Sequence, residues 1–282
     1  MKTLFKHIET DIRSLLEKGY VENARSLNEA LGKGKIFAEL GTPMYFNGNP
    51  EATTVFAMLN PGSGGDEFNL QFKKGEDIRS IVDNYIEHHI RYGEKDKGRH
   101  DNFDLKQASF LSGFPESGID IPDYITNPDN TIKLKAKQNV LMQKLQLELV
   151  PYTSKTFLNI FDNLEMAIQN IDPFLPHINR LLDTIIEKKR TYVLFGSQQY
   201  AQIFYAMKLK GYADIEVGTP AVFSINGLKN NVNFNTVVIQ HKGERIEAGI
   251  PYSFPRKDLP NAHLQMKKYG EACFQEMKKR FH

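Results

Sequence analysis

Asn60 is the residue best placed to do chemistry in this chain. It closes the apolar run Val55-Phe56-Ala57-Met58-Leu59 and opens the turn Pro61-Gly62-Ser63-Gly64-Gly65. The run suits a strand with both faces covered, as in a parallel sheet between helices. Pro61 has no N–H for the sheet ladder, and the glycines let the backbone turn sharply and approach a ligand. In open α/β sheets ligands bind at the carboxyl ends of strands, which is where Asn60 falls. The plain alternative is a tight strand-to-helix connection with nothing bound.

Three more apolar runs end in a polar or glycine-bearing turn: Val150-Pro151-Tyr152, Phe195-Gly196-Ser197 and Gln240-His241-Lys242-Gly243. In a parallel sheet all four turns share one edge, so a cleft built from Asn60, the residues near Pro151 and His241 is expected. Strands are expected over residues 53–59, 145–150, 192–195, 221–225 and 235–239, the last two as a hairpin-like pair around Asn226-Gly227. Residues 1–32 read as two helices, with Leu4, Ile8, Ile12, Leu15 and Leu16 on one apolar face. Further helices are expected over 77–92, 131–143, 155–170, 173–189, from 197 to 210, and over 262–281. This alternation predicts a three-layer α/β/α domain with a central, mainly parallel four-stranded sheet. One domain is expected: an N-terminal helical extension over 1–50, a core over 53–243 and a C-terminal helix.

The chain has 282 residues, with 40% hydrophobic and 25% charged content, ordinary for a globular protein. Mean hydropathy is −0.45 and no long uncharged apolar run occurs, so no membrane association is expected. Charges interrupt the apolar residues of the N-terminus, unlike a signal peptide. Cys273 is the single cysteine, which excludes an internal disulfide and cysteine-rich metal modules. A reducing cytoplasm and a monomer fit these features. The net charge of +2 and pI near 8.4 permit a nucleic-acid partner without indicating one.

The ordered set of strand ends resembles the uracil-DNA glycosylase superfamily, in particular its mismatch-specific and single-strand-selective branches. Asn60-Pro61-Gly62 matches the family's first motif. Glu148 and Pro151 occupy the positions of a base-contacting Asn and the Pro three residues on. Gly196 matches the glycine after the third strand, and His241 the histidine of the last motif. The resemblance spans residues 53–242 and implies hydrolysis of an N-glycosidic bond after a nucleotide is flipped from the stack. Asn60 would position the attacking water, and His241 would stabilise the departing base. Phe68 or Phe72 would stack on that base, and Gly62 and Ser63 would line the cleft.

Two residues depart from the family pattern. Glu148 stands where an amide would read uracil with donor and acceptor together; ionised, it only accepts, which suits a base edge presenting donors. Desolvation at the cleft floor would raise its pKa, and protonated it could also donate to a carbonyl. Lys242-Gly243 replaces Pro-Ser, with Lys242 and Arg245 as substitute phosphate contacts. Each site residue also has a plainer reading. Glu148 faces solvent or pairs with a lysine, His241 donates to a nearby carbonyl, and Phe68 and Phe72 belong to the core. Lys133, Lys135, Lys137 and Lys144 are expected on a solvated face. His88, His89 and His100 lack acids or cysteines at ligand spacing, so neither metal nor cofactor is expected. The chain has no Gly-x-x-x-x-Gly-Lys-Ser/Thr loop and no Gly-x-Ser-x-Gly elbow. The expected function is therefore glycosylase-like hydrolysis on a nucleic acid or nucleobase-containing ligand. The alternative is a non-catalytic binding module on the same fold.

Overall fold

The computed structural model describes residues 1–61, 76–91, 102–115, 117, 142–225, 231–252 and 262–281. Among them, eight strands form one sheet: β1 (Phe46–Gly48), β2 (Thr54–Met58), β3 (Lys144–Glu148), β4 (Tyr192–Phe195), β5 (Asp214–Val217), β6 (Ala221–Phe223), β7 (Val232–His241) and β8 (Glu244–Pro251). Their order is β1-β3-β2-β4-β8-β7-β5, with β6 also paired to β7. The centre, β3-β2-β4-β8, is parallel. Antiparallel strands flank it, β1 on one side and β7, β5 and β6 on the other.

Helices cover both faces. Val55, Ala57, Leu145, Leu147, Val193 and Phe195 pack toward α1 (Lys2–Lys18), α2 (Glu22–Leu31) and α3 (Ile78–Ile90). Phe56, Tyr192, Leu194 and Phe234 pack on the other face against α4 (Asn102–Leu111). Between β3 and β4 come a 3-10 turn (Phe157–Phe161), α5 (Leu164–Asn170), a second 3-10 turn (Asp172–Phe174) and α6 (Leu175–Ile186). The helix expected over 155–170 is thus divided, because the Asn163 side chain accepts from Met166 N at 3.0 Å and caps a new helix there. α7 (Gln199–Leu209) follows β4, and α8 (Ala262–Phe281) lies across α4. The two helices approach closely because Gly270 of α8 sits against the Phe110 carbonyl, and Gly113 against the backbone of α8.

The N-terminal helices share the main core: Leu4, Ile8 and Ile12 are buried in it. Asp11 fixes α1 there, accepting from Tyr45 Oη at 2.6 Å, Tyr152 Oη at 2.9 Å and Asn23 Nδ2 at 2.6 Å. Burial raises the Asp11 carboxyl above its usual range, opposed by those hydrogen bonds.

One correction bears on function. The fourth parallel strand is β8, a strand not expected from the sequence, and the expected strand over 235–239 lies within antiparallel β7. The cause is the turn Lys242-Gly243, whose φ values of 52° and 84° are both positive. Positive φ at both central residues is the signature of a two-residue turn that matches the twist of a β-hairpin. His241 therefore pairs with Glu244, and the chain reverses into β8. Residues 226–230, expected as the turn of another hairpin, lie outside the described residues.

Candidate functional site

The register of β2 brings Asn60 beside the end of β3. Met58 pairs with Glu148, and the pairing continues through Leu149 N to Met58 O at 2.8 Å and Val150 N to Leu59 O at 2.9 Å. Asn60 follows at once, half-buried. Its Nδ2 donates to Pro61 O at 2.9 Å and to Ser154 O at 3.4 Å. That use of the donor side leaves the amide oxygen as an acceptor. Pro151 is buried, and its carbonyl accepts from Met44 N at 2.7 Å. On the other side of β2, Gly196 N donates to Ala57 O at 2.8 Å, and the missing Cβ leaves room for the Met58 thioether. Asn60, Glu148, Pro151 and Gly196 thus share the carboxyl edge of β2, β3 and β4. Gly62, Ser63, Phe68 and Phe72 lie outside the described residues.

Glu148 is neither solvated nor in direct contact with a lysine. It is 2% exposed, at the end of a buried polar row along β3. Lys144 Nζ donates to the Oε1 atoms of Gln107 and Gln146, the latter at 3.0 Å. Gln146 Nε2 donates to Glu148 Oε1 at 2.8 Å. Glu148 Oε2 is sealed from solvent with no hydrogen-bond partner among the described residues. Burial pushes the carboxyl up to about 8, against the Gln146 hydrogen bond and the charges of Lys144 and Arg180. Below that pH, Glu148 holds a proton and presents a donor and an acceptor together, as an amide does. Of the two protonation states open to Glu148 from the sequence, the raised value favours the protonated one at neutral pH. Lys144, expected on a solvated helix face, is fully buried as the first residue of β3.

Around this carboxyl the backbone is tightly held. Arg180 Nη2 donates to the carbonyls of Glu148 at 2.9 Å and Leu149 at 2.6 Å, and Tyr200 Oη donates to Met58 O at 2.7 Å. Neither Arg180 nor Tyr200 stood out in the sequence, since each lies inside a helix with no motif around it. Both serve to fix the ends of β2 and β3.

His241 and Lys242 are not part of this edge. Phe56 is level with Leu194, Gly249 and Thr236 across the sheet. Asn60 lies four residues beyond Phe56, whereas His241 lies five beyond Thr236 in the opposite direction, a separation of roughly 30 Å at ~3.3 Å per residue. At the far edge His241 Nε2 meets Asp183 Oδ1 at 2.7 Å, and Lys242 Nζ meets Asp183 Oδ2 at 2.8 Å. Arg245 pairs with Glu247 at 2.9 Å. The two Asp183 contacts tie the β7–β8 turn to the end of α6. The cleft-side end of the last parallel strand is Pro251-Tyr252, followed in sequence by Ser253-Phe254-Pro255-Arg256, which lie outside the described residues.

Among the described residues, no group of three His, Cys, Asp or Glu could hold a metal ion, and no helix is long and apolar enough to cross a membrane. No family model matches the chain, and no solved structure matches it. A 96-residue stretch, 32% of the chain, is 29% identical to part of the tRNA modification GTPase MnmE of Mycoplasmopsis synoviae (strain 53). The chain spans 20% of that relative's length.

Proposed function

We propose that the protein is a glycosylase-like hydrolase that recognises a nucleobase at the carboxyl edge of β2, β3 and β4. The observation that carries this reading is the adjacency of Asn60 and Glu148 at paired strand ends, one an amide with a spare acceptor, the other a buried carboxyl with an unsatisfied oxygen. Asn60 Oδ1 accepts a hydrogen bond from a water and aims it at the anomeric carbon. The water oxygen bonds to that carbon as the C–N bond breaks with its electron pair leaving on the base, and the proton released by the water passes through solvent to the departing base. Once a base displaces the side chains that seal Oε2, protonated Glu148 donates to a base carbonyl that gains negative charge as the bond breaks, the role first expected of His241.

A second reading is favoured by the remoteness of His241: a nucleobase-binding module without turnover. One experiment separates the two. Single- and double-stranded DNA oligonucleotides carrying uracil, hypoxanthine, xanthine or a mismatch are incubated with the protein, then treated with alkali to cleave abasic sites. A structured RNA arm is added because of the likeness to a tRNA modification enzyme. The hydrolase reading predicts strand breaks on at least one DNA substrate. Binding without breaks supports the module, and neither binding nor breaks removes both readings.

A further inference from the structure

The polar row on β3 has a direction. An ammonium has three donors and no acceptor, so the atoms of Gln107 and Gln146 that meet Lys144 must be their carbonyl oxygens. The Gln146 NH₂ is thereby turned toward Glu148, and the oxygen it meets, Oε1, must accept. When Glu148 is neutral its proton belongs on Oε2, the atom left without a partner. One lysine at the start of the strand thus dictates hydrogen-bond polarity at its end, ~13 Å away at ~3.3 Å per residue.

We infer that Lys144, acting through Gln146, is a positioning residue that makes Glu148 Oε2 a donor, and so selects bases presenting a carbonyl over bases presenting an amino group. The inference rests on the proposed nucleobase site. Among the described residues, the charged and titratable groups acting on Glu148 are Lys144 on its own strand, Arg180 on α6 and Tyr200 on α7. Of these three, Lys144 is joined to the carboxyl side chain through a chain of side-chain hydrogen bonds. Arg180 touches the main chain instead. Removing the ammonium frees the Gln146 amide to turn over, and Oε1 and Oε2 become equivalent candidates for the proton.

The test compares 2′-deoxyuridine with 2′-deoxycytidine, which differ by carbonyl against amino at C4 and by N–H against a bare nitrogen at N3. The wild-type protein is expected to bind deoxyuridine at least about tenfold more tightly at neutral pH, as a good directional pair would give. Lys144→Met should bring the ratio close to one, and Lys144→Arg, which keeps an all-donor group, should restore it. If Lys144→Met does not fold, Gln146→Leu breaks the same relay and should give the same loss. An unchanged ratio in the folded variant overturns the inference. A second readout needs no ligand: the 13C titration of the Glu148 carboxyl, followed by NMR, should move to higher pH in Lys144→Met because a favourable positive charge is gone. If neither nucleoside binds the wild type, the nucleobase reading fails by itself, and the carboxyl titration still judges the row. A titration identical in wild type and Lys144→Met overturns the inference.

Discussion

Wild-type protein is expected to lose stability on the order of 4 kcal/mol between about pH 5 and about pH 9 relative to Glu148→Gln. The native carboxyl titrates at about 8 against an ordinary value of 4.5. With the folded value raised, the native state keeps a proton that the unfolded chain has released. The contribution is therefore fully present below pH 4.5 and is lost as the pH rises through 8. At ~1.4 kcal/mol per pH unit the interval yields the figure above. Glu148→Gln keeps an acceptor for Gln146 Nε2 and is neutral throughout. Asp11 and the buried histidines titrate in both proteins, so the difference between the two curves isolates Glu148. Urea unfolding at a series of pH values measures it. Parallel curves would show that the carboxyl is hydrated or already paired.

Gly270→Ala is expected to cost about 3 kcal/mol, at the upper end of what overpacking does. The added Cβ would run into the Phe110 carbonyl, and Gly113 stands directly beneath. Neither helix can give way locally, since both contacts are to backbone. Undocking α8 would expose Met266, Tyr269 and Cys273 and loosen α4, which carries Gln107 over Lys144. Chemical denaturation gives the loss. Native-like stability in this variant would mean that the two helices pass farther apart than described.

Much of this architecture is legible in the sequence where burial on both faces writes a continuous apolar run ending in Pro or Gly. That is why β2, β3 and β4 can be read, together with Asn60, Pro151 and Gly196 at their ends. β8 is harder to see because Glu244, Arg245 and Glu247 charge its first half. Its signals were the alternation of Ile246, Ala248 and Ile250, and Lys242-Gly243 as a turn with two positive φ values. Taking His241 as the end of a parallel strand instead put it on the wrong edge of the sheet. Lys144, Gln146 and Glu148 alternate with leucines, the pattern of a half-exposed strand. Periodicity cannot reveal that α4, distant in sequence, covers the polar face, nor that burial keeps Glu148 neutral.

The most direct test of the account measures abasic-site formation by wild type, Asn60→Ala and His241→Ala on whichever oligonucleotide the wild type cleaves. Asn60→Ala should fall by at least about 10²-fold, the scale on which misplacing a reacting water acts, while substrate binding persists. His241→Ala, altered at the far edge of the sheet, should cleave at the wild-type rate. A loss in His241→Ala equal to that in Asn60→Ala, or full activity in Asn60→Ala, would contradict the placement of the site.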